Sequence, residues 1–368
     1  MCPNKKHLRE TNILIIFRIF VILKKNYHPL MKSACRYILI LSLVFPMVMN
    51  LAGCGGGKSY RTMQGGVWNT TYNINYRADR DLSDSVLAVM RQVELSLSPF
   101  CDSSLITRIN RGEDLAADSL LRRIFTASLH VNAESNGAFD PTVAPLINLW
   151  GFGYRNSGME PSQEMIDSIM PLVGIASCSL DSGGHIRKKS PGTEFNFSAI
   201  TKGYGCDLVG EMLRRNGCED YMVEIGGEIA LAGKNPRGEK WHIMVDAPIE
   251  NDTAVVHERM TVIAVSDAGV ATSGNYRNFK TTASGRIWHT ISPVTGRPAH
   301  TDLLSATVIA PNAMLADAYA TSCMAMNCAE ALAMLERTEG VEGLLVTLNP
   351  SDSTFTATAT TGFPKALR

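Results

Sequence analysis

Asp317 and Thr321 lie four residues apart in Ala310-Pro-Asn-Ala-Met-Leu-Ala-Asp-Ala-Tyr-Ala-Thr-Ser322. On a helix that spacing puts an acid and a hydroxyl on one face, one turn apart. Two such oxygens suit a hard cation such as magnesium, which takes oxygen ligands and commonly keeps substrate phosphates as others. The neighbouring residues are small and apolar, so the helix should approach its surroundings closely. Pro311-Asn312 fits a helix start with Asn312 as the cap. The same pair also fits a surface acid and a threonine bonded back to its own helix. The helix alone leaves both open.

Four further stretches hold residues able to do chemistry. In Asn196-Phe-Ser-Ala-Ile-Thr-Lys-Gly-Tyr-Gly-Cys-Asp207 a strand end turns into a helix with Lys202 near its start. Backbone amides at a helix start, with a lysine, favour an anion. The Walker glycine spacing is absent, and a plain helix start with a solvated lysine fits as well. In Gly285-Arg-Ile-Trp-His-Thr-Ile-Ser-Pro-Val-Thr-Gly-Arg-Pro298 a strand-like run holding His289 ends in a Ser-Pro turn. His289 is either a structural strand residue or a base near physiological pH. The Gly, Trp and Phe residues after Asp140-Pro141, within 136–153, suit a wall for a planar ring. Glu224-Ile-Gly-Gly-Glu228 reads as a strand meeting a close-packed glycine pair.

These stretches need elements to position them. The run 67–76 is β-rich and partly alternating, an opening strand. Residues 81–98, 118–136 and 201–216 carry helical spacing, the last two closed by Gly137 and Gly217. Strands are expected at 221–225, 241–245, 261–265, 304–309 and 343–348, and a helix at 330–338. This mixed order implies an α+β domain with a mixed or antiparallel sheet and packed helices. The chain has 368 residues, a formal net charge of zero and 45% hydrophobic residues. With no basic run in the body, nothing points to a nucleic-acid partner.

The N-terminus carries an address. Met31-Lys-Ser-Ala-Cys-Arg36 is a basic start, 37–49 an apolar run too short for a comfortable span, and Leu51-Ala-Gly-Cys54 a lipobox-like end followed by three glycines. The expectation is a signal peptide over 31–53, a lipid on the Cys54 thiol and a tether over 54–64. Residues 1–30 then precede a complete signal, as a gene-start error would leave them. An exported chain lives in an oxidising compartment. Its six remaining cysteines form no C-x-x-C pair and no zinc spacing, and no disulfide can be read from them.

Seven blocks together resemble the ApbE family, the FAD:protein FMN transferases. They are "NTTYNI" (69–74), "GAFDPTVAPLINLWGFG" (137–153), "AITKGYGCD" (199–207), "VEIGGEIALAG" (223–233), "GVATSGNYRNF" (269–279), "HTISPVTGRPA" (289–299) and "SATVIAPNAMLADAYAT" (305–321). The resemblance spans about residues 65–350 and leaves 351–368 as a tail. It implies a single ApbE-type, T-fold-like domain that binds FAD and magnesium. The implied reaction transfers FMN to a threonine or serine hydroxyl of another protein and releases AMP. Carried over, Asp317 and Thr321 are the side-chain magnesium ligands, and Ala199 supplies a backbone carbonyl. Ala138, Phe139 and Asp140 match one FAD-contacting block, and Asn196, Lys202, Ile291 and Ala320 match other contacts. Trp68 and Phe100 fall where members place a methionine and an aromatic, and His289 matches the catalytic histidine.

Many members carry aspartate where Asn196 and Ser292 stand. The first change removes a charge from the pocket, and the second removes a carboxylate that would assist His289. The implied acceptors are exported or membrane-bound redox subunits, such as those of sodium- or proton-coupled electron-transfer complexes. The implied location is a lipid anchor on the periplasmic side of a bacterial membrane. The same site with water as acceptor would make an FAD pyrophosphatase, and without turnover an FAD-binding lipoprotein. The run 267–273, "DAGVATS", looks superficially like a flavin-acceptor motif targeting Thr272, and reads as pocket structure because it falls in a family block.

Overall fold

Val67 and Thr70 pair across a two-residue turn in which Trp68 and Asn69 have φ of 50° and 61°. Two left-handed residues give the turn the twist a hairpin needs. The single strand expected at 67–76 is therefore the end of β1 (Ser59–Val67), a turn, and most of β2 (Thr70–Ala78). Tryptophan is a strand former, and its type hid the turn.

The computed structural model describes residues 57–153, 160–249, 258–275, 279–282, 285–349 and 354–367. Cys54, the signal segment and 1–30 lie outside them, as do positions 276–278 of the 269–279 block. After the hairpin come α1 (Ser83–Leu97), α2 (Leu105–Asn110), α3 (Ser119–Glu134), α4 (Ala144–Leu149) and α5 (Gln163–Ile169). A short pair, β3 (Ser179–Leu180) and β4 (Ile186–Arg187), leads to α6 (Ser198–Arg215), β5 (Tyr221–Ile225) and β6 (Glu228–Ala232). Then follow β7 (Trp241–Asp246), β8 (Arg259–Val265), β9 (Gly269–Gly274), β10 (Phe279–Thr282), β11 (Gly285–Trp288) and β12 (Leu303–Ala310). The chain closes with α7 (Ala313–Cys323), α8 (Cys328–Arg337), β13 (Glu342–Leu348) and β14 (Phe355–Ala359).

Eight strands make one sheet in the order β1-β2-β5-β6-β9-β12-β13-β14, and every neighbouring pair is antiparallel. The α+β expectation with an antiparallel sheet holds. The folded body is larger than 65–350, because β1 opens at Ser59 and β14 adds an edge strand from the expected tail.

Alternation along the strands sorts two layers. Ala271, Ala306, Val308 and Leu345 face the helices, where Phe195, Phe197, Tyr319 and Met334 complete the core. Leu231, Val270, Ile309 and Leu344 face the opposite way, onto Trp241, Ile243, Val245, Ile263 and Val265 of the β7–β8 hairpin. No helix among the described residues is long and apolar enough to cross a membrane.

The helix α7 packs against α6, which lies beside it on β5 and β6, and, on the sheet, against β9 and β12. Its first amides are all met: the Asn312 side chain accepts from Leu315 N at 2.9 Å, and Asp207 accepts from Ala313 N at 2.9 Å and Met314 N at 2.8 Å. Small residues let the backbones touch. A Cβ on Gly203 would fall 2.1 Å from the Ala313 carbonyl oxygen, and one on Gly269 would fall 2.1 Å from Ala313 N. Asp207, expected only as a helix residue one turn on, thus anchors the start of α7.

Candidate active site

The crossing of α6 and α7 builds an oxygen-lined ledge. Thr321 Oγ1 lies 3.4 Å from the Ala199 carbonyl oxygen, to which it donates, and 3.5 Å from Ser273 Oγ on β9. Asp317 stands one turn earlier on α7. Its Oδ2 accepts from Gly203 N at 3.0 Å, and its Oδ1 lies 3.8 Å from Lys202 Nζ. The three positions expected to bind magnesium therefore share one place, drawn from two helices.

Lys202 also reaches Glu228 Oε1 at 3.0 Å. Asp317 and Glu228 are buried, with 1% and 4% exposure, while the Lys202 side chain keeps 33%. Burial raises the pKa of both acids, against the pull of Lys202. Burial opposes the Lys202 ammonium too, but Asp317 and Glu228 outweigh it and raise its pKa. Two buried acids thus share one ammonium, and Glu228 Oε2 makes no hydrogen bond. A carboxylate, a hydroxyl and a carbonyl are all hard oxygen donors, so this set fits a magnesium ion that completes its shell with phosphate and water oxygens.

The remaining expected residues divide by what their side chains do. Trp68, held in its left-handed turn, packs its indole on α6, where a Cβ at Gly205 would meet the ring at 2.6 Å. A bulky residue at positive φ is strained backbone that its surroundings must enforce. Asn196 is buried; its N donates to the Pro141 carbonyl at 2.8 Å and its Oδ1 accepts from Ser198 N at 2.9 Å. The aspartate-to-asparagine departure thus keeps the acceptor that starts α6. Ala138 is half-buried, whereas Phe139 and Ala320 are in the helix-side core. Asp140 accepts from Thr142 N, Thr142 Oγ1, Ile175 N and Asn132 Nδ2, so its carboxylate braces the loops around it. Phe100 is 61% exposed on the loop after α1.

Ile291 is buried with Val143, Leu146 and Trp150, and Trp150 Nε1 donates to the Gly296 carbonyl at 2.8 Å. These contacts join the 137–153 and 289–299 blocks. His289 is not inside a strand as expected: β11 ends at Trp288, and His289 is half-buried on a bend. The next residue ties this bend toward the ledge, with Thr290 Oγ1 donating to Asn275 Oδ1 at 3.4 Å. Asn275 is two residues beyond Ser273, the residue that meets Thr321. Ser292 Oγ accepts from Thr295 N at 3.3 Å, and so serves its own turn.

Sequence reasoning missed Glu228 and Ser273 as site residues, although both fall in recognised blocks. In the 267–273 run, Thr272 Oγ1 pairs with Thr307 Oγ1 at 2.9 Å, and strand alternation puts it on the sheet face opposite Ser273. The signal that separates the two is that alternation, once β9 is known to be a strand.

Comparison with known proteins agrees with this geometry. A sequence model of the ApbE family matches residues 68–345. The FAD:protein FMN transferase of Vibrio cholerae is 33% identical over 296 residues, covering 78% of this chain and 87% of that protein. The one from Escherichia coli is 31% identical over 281 residues, covering 74% and 79%. Among solved structures, the flavin transferase ApbE from Vibrio cholerae aligns with a TM-score of 0.73 at 31% identity, covering 83% of this chain and 98% of that one. The Pseudomonas stutzeri flavinyl transferase ApbE, in its apo form, gives 0.73 at 30% identity, with coverage of 83% and 95%. The chain belongs to the ApbE family.

Proposed function

We propose that the protein is a magnesium-dependent flavin transferase. It moves FMN from FAD onto a threonine or serine hydroxyl of an exported or membrane-bound redox protein, making a phosphoester and releasing AMP. The observation that carries this reading is the ledge of Ala199, Asp317 and Thr321 with Lys202 beside it. Simple storage of FAD needs no such oxygen set.

In this reading Ala199, Asp317 and Thr321 hold the cation, which when bound supplies charge neutralisation on the diphosphate. Lys202 presents a fixed positive charge to the same anionic group. The bond from the acceptor oxygen to the FMN phosphorus forms as the bond to the AMP oxygen breaks. His289 takes the hydroxyl proton, as a base should when a neutral hydroxyl attacks. With Ser292 committed to its turn, His289 works without a carboxylate from that position. Trp68 and the Ala138–Asp140 stretch border the FAD. Positioning and electrostatics supply most of the acceleration. With the 31–53 signal removed, a lipid on Cys54 and the stretch that follows it would tether the protein to the periplasmic face of a bacterial membrane.

The test mixes the body from Lys58 onward with FAD, magnesium and a purified protein carrying an acceptor threonine. The expected result is an acceptor mass increased by one FMN, with AMP released and both lost on adding EDTA. Free FMN and AMP without labelled acceptor would make the protein a pyrophosphatase instead. Bound FAD with no products would leave a carrier.

A further inference from the structure

The Glu224-Ile-Gly-Gly-Glu228 motif has no part in the reaction described so far. We propose that Glu228 is a positioning residue that holds the Lys202 ammonium off Asp317, keeping one Asp317 oxygen open to a divalent cation. This rests on the cation-site reading above.

The distances are unequal in the required sense: Lys202 Nζ is 3.0 Å from Glu228 Oε1 and 3.8 Å from Asp317 Oδ1. The other Asp317 oxygen, Oδ2, is already taken by Gly203 N. Oδ1 is therefore the oxygen left for a cation, and it is the one a lysine in full contact would occupy. Glu228 is only 4% exposed, and its Oε2 makes no hydrogen bond. Lys202 is thus the main polar partner of that carboxylate, and the pull on the ammonium is not shared with other side-chain donors.

The glycine pair guides the lysine there. Gly226 and Gly227 have φ of 67° and 100°, in the region that favours glycine. A Cβ on Gly226 would fall 3.2 Å from Lys202 Cδ and 3.1 Å from the Thr70 side chain. The lysine stem therefore runs close across Gly226 before its ammonium meets Glu228. Glu224 Oε1 accepts from Gly227 N at 2.7 Å and fixes the turn. Without Glu228, a partly buried ammonium next to one buried carboxylate would close on it, because a buried charge without a partner is costly. Lys202 would then compete with the divalent cation for Asp317.

A rival account makes Glu228 only an extra negative charge near the cation. A double-mutant cycle separates the two. Magnesium alone is titrated calorimetrically into the wild-type protein, Glu228→Gln, Lys202→Met and the double variant, each checked for folding by thermal unfolding. The expected result is that Glu228→Gln weakens magnesium binding about tenfold when Lys202 is present, and less than about twofold in the Lys202→Met background. Equal weakening in both backgrounds, or none in either, would overturn the proposal. Gly226→Ala, which crowds the lysine stem, should mimic Glu228→Gln and be rescued by Lys202→Met. It carries the test if Glu228→Gln does not fold, and absence of that rescue would overturn the proposal. Asp317→Asn is titrated in parallel. If it binds magnesium like the wild type, the cation-site reading fails and this proposal with it. If it loses binding while the cycle is additive, only this proposal fails.

Discussion

Asp140 and Asp317 both come from family blocks and both are buried, yet their surroundings treat them differently. Asp140 receives four hydrogen bonds: Thr142 N at 2.8 Å, Thr142 Oγ1 at 2.5 Å, Ile175 N at 2.9 Å and Asn132 Nδ2 at 3.4 Å. Asp317 receives one amide, Gly203 N, and shares a lysine held at 3.8 Å. A buried carboxylate is costly unless its lone pairs are met. Around Asp140 the chain itself meets them, so that carboxylate ties α3, the 140–143 turn and the loop at Ile175 together. Around Asp317 the set is incomplete, which leaves an oxygen for a ligand. The number of donors already in place separates a brace from a binding group, where residue type and burial do not.

The comparison can be broken most sharply at Asp317. Asp317→Asn should lower FMN transfer by about a thousandfold with the unfolding temperature little changed. Transfer within a few-fold of wild type would mean that Asp317 is a brace like Asp140. His289→Ala should cut kcat by about a hundredfold, a usual size for loss of a general base, while the Kd for FAD stays put. Equal loss of both would make His289 a binding residue. Asp140→Ala inverts the pattern: a stability loss of about 3 kcal/mol in denaturant unfolding, from several orphaned donors, with kcat of the folded protein altered only slightly. A collapse of kcat at unchanged stability would put Asp140 in the chemistry. The smallest effect is expected at the exposed Phe100. Phe100→Ala should shift stability by less than about 0.5 kcal/mol, and FAD affinity measured by flavin fluorescence then reports whether its ring touches the cofactor.

The Asp317–Thr321 half of the ledge was legible as a candidate in local spacing, whereas Ala199 entered only through the family resemblance. Asp317 and Thr321 are one turn apart, Asn312 caps their helix, and the alanines announce close packing. The strand Tyr221–Ile225 and the long helices were legible for the same reason, since their periodicity lies within a short window. The strand Glu228–Ala232 was not, because the close-packed glycine pair before it ends the periodicity of the strand Tyr221–Ile225. Gly269–Gly274 hid behind small residues with little hydrophobic contrast, and Phe355–Ala359 is an edge strand of alternating Thr and Ala. The partition of Thr272 and Ser273 onto opposite faces follows only from pairing with β12. Glu228 was the hardest to see, because its role needs a glycine turn, a helix lysine and a second helix to converge, and no spacing along the chain encodes that.

The central claim is that a divalent cation held by Ala199, Asp317 and Thr321 serves FMN transfer. The most direct test follows the intact mass of an acceptor protein with FAD as magnesium is raised from zero, using wild type and Asp317→Asn. The account predicts saturable labelling by one FMN for the wild type, none in EDTA, and no labelling by Asp317→Asn at the magnesium level that saturates the wild type. Labelling that is indifferent to magnesium, or equal for the two proteins, would contradict it.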